Sequence, residues 1–437
     1  MRHSYLAGDT AVKVAESIEA AVRDGWLNSG DRLPSVRDAA AQLGVNRNTV
    51  ATAYARLRDV GVLTTGGGRS GMRVAVVDAF EGRSPGLPPG MRDLASGNVD
   101  ARLLPSLELV LHRIDLTPTG YDAEGDEPAL VALARDRLDA EGLDPKHMCF
   151  FSGALDAIER GMRAQVRTGS TVLVEDPGFP PLLDLLRSMG FKLRPLPLDD
   201  EGPDTKALAE GLRAGASAVV LTPRAQNPFG CDIQAARAQE ISALFQAYPD
   251  TMLVLDDHWG PLAEGALELR TGGTTRWLFV RSVSKFLGPD YRLAVAIGDP
   301  VTIGRIRRQQ SLGPRWVSRL LQRFVHALWT SPDTEVLLAT ARKAYRERRD
   351  ALRSAMEAEG LAVHGRSGIH LWLPVRREAP TVQAMMARGV ALQAGEPFRL
   401  SAGPGVRVSI ANLKPGEAPF IARLMAQSTS GGDSFFG

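Results

Sequence analysis

The chain has 437 residues, with 52 lysines and arginines against 50 aspartates and glutamates. That length predicts two or three domains with a sizeable core, and the balanced charge by itself argues neither for nor against a nucleic-acid partner. Cys149 and Cys231 lie far apart without metal-ligand spacing, the N-terminus lacks an apolar signal segment and no run is long enough to span a bilayer, so the expectation is a soluble, cytoplasmic protein with reduced thiols and no metal.

Between residues 10 and 24, Val14, Ile18 and Ala21 or Val22 recur at helical spacing, with Thr10 as cap and Gly25 as stop. A second helix is expected after Leu33-Pro34, opened by Ser35 and Asp38 at capping-box spacing and closed by Gly44. A third follows at once, with Asn46 as cap, Val45 and Val50 as a hydrophobic staple, and Tyr54 and Leu57 on its apolar face. Two helices divided by Gly44-Val45-Asn46 form a helix-turn-helix pattern, which puts Arg47, Asn48 and Thr49 on the turn that meets base edges or phosphates. Residues 61–65 and 72–76 read as short strands around a glycine-rich turn at 66–71, a wing. From 32 to 73 the charged residues are mostly arginines, so this segment is locally positive.

Leu33-Pro34-Ser35-Val36-Arg37, Leu43-Gly44-Val45-Asn46-Arg47-Asn48-Thr49-Val50 and Ala53-Tyr54 together resemble the winged helix-turn-helix of GntR-type transcription factors. The resemblance implies that residues 1–77 bind a double-stranded DNA operator, with Arg37, Arg47, Thr49 and the wing's Arg69 as contacts beside Asn48. Ala51 stands where some members carry a further arginine, so their contact set does not transfer whole. Residues 78–92, rich in proline and glycine, read as a linker.

From residue 93 short apolar runs alternate with helical stretches. The runs at 171–177, 218–223, 252–257 and 277–282 are apolar throughout rather than alternating, as in strands buried on both faces of a mostly parallel sheet covered by helices. Each ends in polar residues, and ligands of open α/β sheets bind at the carboxyl ends of strands. Ser152-Gly153-Ala154 reads as a turn whose amides face an anion at a helix N-terminus. Phe179 offers a flat ring, Asn227 a donor and Asp256 an acid at the end of a buried strand. After the last run come Ser282, Ser284, Lys285 and Arg292, an amine beside the donors a phosphate ester requires. A pyridine-aldehyde cofactor calls for one of each of these groups.

With these motifs in this order, residues 93–427 resemble fold-type I aminotransferases, and the two halves together resemble the MocR group of GntR regulators. The resemblance implies pyridoxal 5'-phosphate held as an internal aldimine on Lys285, with Arg292, Ser282, Ser284, Ser152, Gly153 and Ala154 around its phosphate. It assigns Asp256 to the ring nitrogen, Asn227 and His258 to the ring oxygen, and Phe179 to the ring face. Arg407, in Val406-Arg407-Val408-Ser409-Ile410-Ala411-Asn412, matches an arginine that grips a carboxylate. Tyr121 matches a tyrosine that reaches the neighbouring subunit's phosphate, which implies a homodimer; in such proteins the regulatory arm can dock on the partner subunit.

The chain also departs from the family. His258 replaces a usual tyrosine, and its charge is expected to vary near neutral pH. Phe229 replaces a usual threonine and is expected to narrow the substrate side. The strings 222–228, 256–258 and 281–290 are most similar to the PtsJ subgroup, which is associated with control of vitamin B6 salvage. Residues 93–120 and 331–427 are expected to form a small subdomain, with a charged helix over 334–359 and a strand at 368–373 in which His370 is a packed residue. Residues 428–437 read as a flexible tail. The implied function is a transcriptional regulator sensing pyridoxal 5'-phosphate or an amine effector. An active aminotransferase with an appended DNA-binding domain is the alternative.

Overall fold

The computed structural model describes residues 5–28, 30–59, 61–65, 71–74, 87, 90–118, 120–121, 125–271 and 273–430. The chain divides into two compact units, Met1–Gly86 with Asp184–Lys192, and Leu87–Leu183 with Leu193–Gly437.

In the first unit α1 (Ala11–Arg23) starts at Thr10, whose hydroxyl accepts from the Lys13 amide. The next helix, α2 (Val36–Leu43), starts at Ser35, which accepts from the Asp38 amide, and ends at Gly44 with φ 68°, a left-handed conformation that glycine adopts without penalty. Asn46 Oδ1 accepts from the Asn48 amide 2.9 Å away and opens α3 (Arg47–Asp59). Val14, Ile18, Val50, Tyr54 and Leu57 are buried in one core, joined by Leu63 of β1 (Leu63–Thr65) and Val74 of β2 (Met72–Val74), an antiparallel pair. The expected wing tip, including Arg69, and the expected strand residues 75–76 lie outside the described residues.

After β2 the chain runs, in order, β3 (Arg92–Asp93), α4 (Pro128–Asp139), β4 (Met148–Phe151), α5 (Ala154–Gln165), β5 (Thr171–Asp176), α6 (Pro180–Ser188), β6 (Lys192–Asp199), β7 (Gly202–Pro203), α7 (Thr205–Arg213), β8 (Ala218–Leu221), α8 (Ala235–Ala247), β9 (Met252–Asp257), β10 (Trp277–Ser282), β11 (Ala294–Gly298), α9 (Pro300–Leu312), α10 (Arg319–Trp329), α11 (Pro332–Ala358), β12 (His370–Pro374), α12 (Glu378–Met386), β13 (Val390–Ala391), β14 (Gln393–Ala394), β15 (Gly405–Ser409) and α13 (Ala418–Ser430). The large sheet is ordered β4-β11-β10-β9-β8-β5-β6-β7. Its central strands β10, β9, β8 and β5 are parallel, and β11 runs antiparallel to both its neighbours.

Every position of β8 and β9 is buried, which accounts for their unbroken apolar sequence; each Val or Leu so placed contributes about 1.5–3 kcal/mol. Because these strands are parallel, Asp176, Asp256 and Ser282 emerge at the same edge. A smaller sheet is ordered β12-β15-β14, and β13 pairs with β3. The chain was expected to lose order at Ser428, but α13 continues to Ser430. There the hydroxyls of Ser428 and Thr429 donate back to the carbonyls of Leu424 and Met425, so these polar residues remain helical.

No described helix is long and apolar enough to cross a membrane, and the described residues contain no His, Cys, Asp and Glu cluster able to hold a metal. Cys149 and Cys231 are buried free thiols.

Candidate functional site

The carboxyl ends of the parallel strands open into a cavity of about 190 Å³. It brings together the predicted residues Phe179, Asn227, Asp256, His258, Ser282, Ser284, Lys285, Arg292 and Ala154.

A buried ionic cluster fixes the strand ends. Asp257, fully buried, accepts from Arg224 Nε at 3.2 Å, Arg281 Nε at 3.1 Å and the Gly260 amide at 3.2 Å, while both guanidinium groups also reach Glu141. Against the desolvation of full burial, Arg281 and Arg224 hold the Asp257 carboxyl well below the usual range. Asp256, the preceding residue, faces the cavity with no such partners: burial, then the charge of Asp257, push its pKa up to about 7. Its Oδ1 has no hydrogen-bond partner among the described residues.

Near the end of β5 Glu175, buried and also raised to about 7 by desolvation, accepts from the Thr222 amide at 2.8 Å and from Gln226 Nε2 at 3.1 Å. Gln226 in turn donates to Pro177 O and accepts from the Phe229 amide, which clamps the turn carrying Asn227. Lys285 Nζ donates to Gly97 O at 2.7 Å, and burial with the charge of Arg407 lowers its pKa to about 8. An appreciable fraction of this amine is therefore neutral near pH 7, as a nucleophile toward an aldehyde must be.

At the opposite wall Arg292, held at φ 43°, donates from Nη2 to Ser152 O at 3.2 Å, and the Ser284 amide donates to Ser282 Oγ at 3.2 Å. Gly153 caps α5 at φ 108°, and a Cβ there would come within 2.6 Å of Arg292 Nη2, so only glycine lets this turn and the guanidinium close together. Arg407 does not line the cavity but donates to Asn227 Oδ1 at 3.1 Å and to Ala95 O at 2.6 Å. Burial lowers its pKa to about 10, and its Nε is unpartnered among the described residues. The segment just after β3 is thus held by both cations, and Leu94 O also accepts from the Ser409 amide at 2.8 Å.

Several expectations change. His258 was expected to change charge near neutral pH; desolvation, then the charge of Lys285, lower its pKa to about 4, so the imidazole is neutral. Phe229 does not line the cavity: it is buried against Cys231 and Trp372 and stacks on His364 with centroids 4.5 Å apart, because the clamped turn points it away. Neither Ser152 nor Gly153 lines the cavity; they act through the contacts with Arg292. Tyr121 is 85% exposed, edge-on to Trp316 at 6.2 Å with Arg315 over its ring. Trp259, Thr222, Ala225 and Ile369 line the cavity without having been singled out, although Trp259 and Thr222 adjoin motifs that were. His370, expected to be plain strand packing, lines it as well.

In the first unit Arg37, Arg47 and Asn48 are exposed and Thr49 is half-buried, with Arg47–Thr49 opening α3.

A helix-turn-helix unit followed by an α/β unit with a lysine at the strand ends defines a two-part class, a DNA-reading module joined to an aminotransferase-like module. The comparisons agree: the chain belongs to the GntR-type transcriptional regulators with an aminotransferase domain, since "Bacterial regulatory proteins, gntR family" matches residues 10–74 and "Aminotransferase class I and II" matches residues 127–423. It is 36% identical over 427 residues, 95% of this chain and 98% of the relative, to the vitamin B6 salvage pathway transcriptional repressor PtsJ of Salmonella typhimurium. It is 30% identical over 261 residues, 56% of this chain and 55% of the relative, to the pyridoxine biosynthesis transcriptional regulator PdxR of Corynebacterium glutamicum. Among solved structures, the α-aminoadipate aminotransferase LysN of Thermus thermophilus shares the fold with a TM-score of 0.68 at 22% identity, over 78% of this chain and 93% of that one.

Proposed function

We propose that this protein controls transcription in response to pyridoxal 5'-phosphate, or to an amine that reacts with it, by coupling occupancy of the lysine cavity to DNA binding through the GntR unit. The observation that carries the reading is Asp256: a buried carboxylate oxygen without a partner among the described residues, in the cavity that also holds Lys285. A carboxyl so placed suits a protonated pyridine nitrogen.

The other residues fit the same group. Lys285 would condense with the aldehyde, Phe179 would cover the ring, and Asn227 and His258 would flank the ring oxygen. Arg292, Ser282, Ser284 and the Gly153-Ala154 turn would take the phosphate, supported by the close approach of Gly153 to Arg292. When bound, the cofactor supplies an electrophilic carbon and an electron sink. The chain's own part is to keep the Lys285 amine partly unprotonated, to hold His258 neutral, and to present Arg407 to a carboxylate. The hydrogen bonds of Arg407 to Asn227 Oδ1 and Ala95 O end on uncharged oxygens, which supports that last role.

Aminotransferase domains of this class are typically dimeric. We extend this to a shared site in which Tyr121, exposed on its own protomer, serves the partner's cavity. The DNA contacts would be Arg37, Arg47, Asn48 and Thr49, with Arg69 from the wing. The test is operator binding by the full chain, on DNA from its own upstream region, with and without pyridoxal 5'-phosphate and with visible spectra recorded. The expected result is a visible band and a borohydride-fixed adduct that Lys285→Ala abolishes, together with a cofactor-dependent change in DNA affinity. An adduct persisting in Lys285→Ala overturns the lysine assignment. Unchanged DNA affinity on loading leaves an amine as the effector.

A further inference from the structure

The small sheet places a second polar group next to Arg407. In the antiparallel pairing of β12 with β15, His370 is opposite Ser409 and Trp372 is opposite Arg407. Directly paired residues and those two apart share a face, so His370 and Arg407 are diagonal neighbours on one face, within reach of a single small ligand. His370 lines the cavity at 4% exposure, and its Nδ1 is buried without a hydrogen-bond partner among the described residues. Arg407 Nε and Ser409 Oγ on the same face are also unpartnered among the described residues. Buried polar atoms left unsatisfied in this way are uncommon, and three of them on one sheet face beside a cavity are what a polar ligand would complete.

We infer that His370 is a specificity-determining residue of the effector site, selecting an α-amino acid whose side chain carries a hydroxyl or amide while Arg407 holds its carboxylate. This rests on the reading above of the cavity as the cofactor and effector site. The choice of ligand follows from the state of the ring. Full burial, then the charges of Arg407 and Lys285, hold the imidazole neutral, so it offers one donor and one acceptor nitrogen. A hydroxyl or carboxamide both donates and accepts, and satisfies Nδ1 in either tautomer. An apolar side chain of the same shape leaves the nitrogen unpaired, which costs roughly tenfold in affinity.

The test is a titration of the full-length protein loaded with pyridoxal 5'-phosphate, following the visible band, with two isosteric pairs: L-threonine against L-valine, and L-asparagine against L-leucine. In the parent protein the polar member of at least one pair should bind about tenfold tighter. That ratio should fall to about one in His370→Phe and return in part in His370→Gln, which keeps an acceptor and a donor. Because the readout is a ratio within one variant, a general loss of loading cancels. Ratios within about twofold of one in the parent protein, or an unchanged ratio in His370→Phe, overturn the inference while leaving the cofactor assignment standing. Absence of any visible band in the loaded parent protein overturns the cofactor reading, and this inference with it.

Discussion

Asp257→Asn is the most direct probe of what holds the site in shape. The cluster contains two guanidinium groups, Arg224 and Arg281, and two carboxylates, Asp257 and Glu141, so its charges cancel. Asparagine leaves two cations sharing one partly exposed anion, Glu141, and its amide hydrogens face guanidinium donors. Removing one member of a buried ion pair costs about 3–5 kcal/mol. At about 2 °C per kcal/mol for a large domain, the second unit should melt roughly 6–10 °C lower. The pH dependence follows from the depressed Asp257 carboxyl. Its stabilising contribution is complete above the unfolded value of about 3.9 and is lost as pH falls toward the lower folded value, so the mutant should lose that part of the acid response. Calorimetry and urea titration at pH 7 and in acid provide the readout. Asp257→Asn combined with Arg224→Met, which removes one cation, should recover part of the loss. A single mutant within about 1 kcal/mol of the parent, or a double mutant whose losses simply add, would refute the account.

Three further outcomes follow from the geometry. In cofactor-free protein the reaction of Lys285 with an aldehyde should rise with pH about a midpoint near 8, and Arg407→Met should move that midpoint upward; a midpoint at the ordinary lysine value of about 10.4 would contradict the burial argument. Gly153→Ala should weaken cofactor binding about tenfold, since its Cβ displaces Arg292 and the φ of 108° disfavours any side chain; affinity within twofold of the parent would show that the turn does not hold the phosphate. Arg47→Ala should weaken operator binding by about 1–3 kcal/mol at fixed salt, and unchanged affinity removes Arg47 from the contact set.

The strands were legible because burial on both faces leaves its mark on every residue, as in Met252–Asp257, and the helix caps because Thr10, Ser35 and Asn46 act within a few residues of themselves. The cavity residues at strand ends were legible for the same reason: their position follows from the strand that carries them. Properties set by distant parts of the chain were not. His258 is neutral because of burial and the charge of Lys285, Phe229 turns away because Gln226 and Glu175 clamp its loop, and His370, on the small sheet, meets residues from the large sheet's strand ends only at the cavity. A histidine inside the apolar run Ile369-His370-Leu371-Trp372 was the one available hint, and from one strand it could not be told from ordinary packing.

The hydrogen bonds to Ala95 and Gly97 make Arg407 and Lys285 into fasteners for the stretch of chain at residues 95–97. A ligand that takes Lys285 into a covalent bond, or draws Arg407 onto a carboxylate, must loosen one of those fasteners. The released residues lie only a few positions beyond residue 92, where the linker predicted from the sequence ends. Amide exchange at residues 94–98 should report the loosening directly, with protection changing on ligand addition before any change in the central strands.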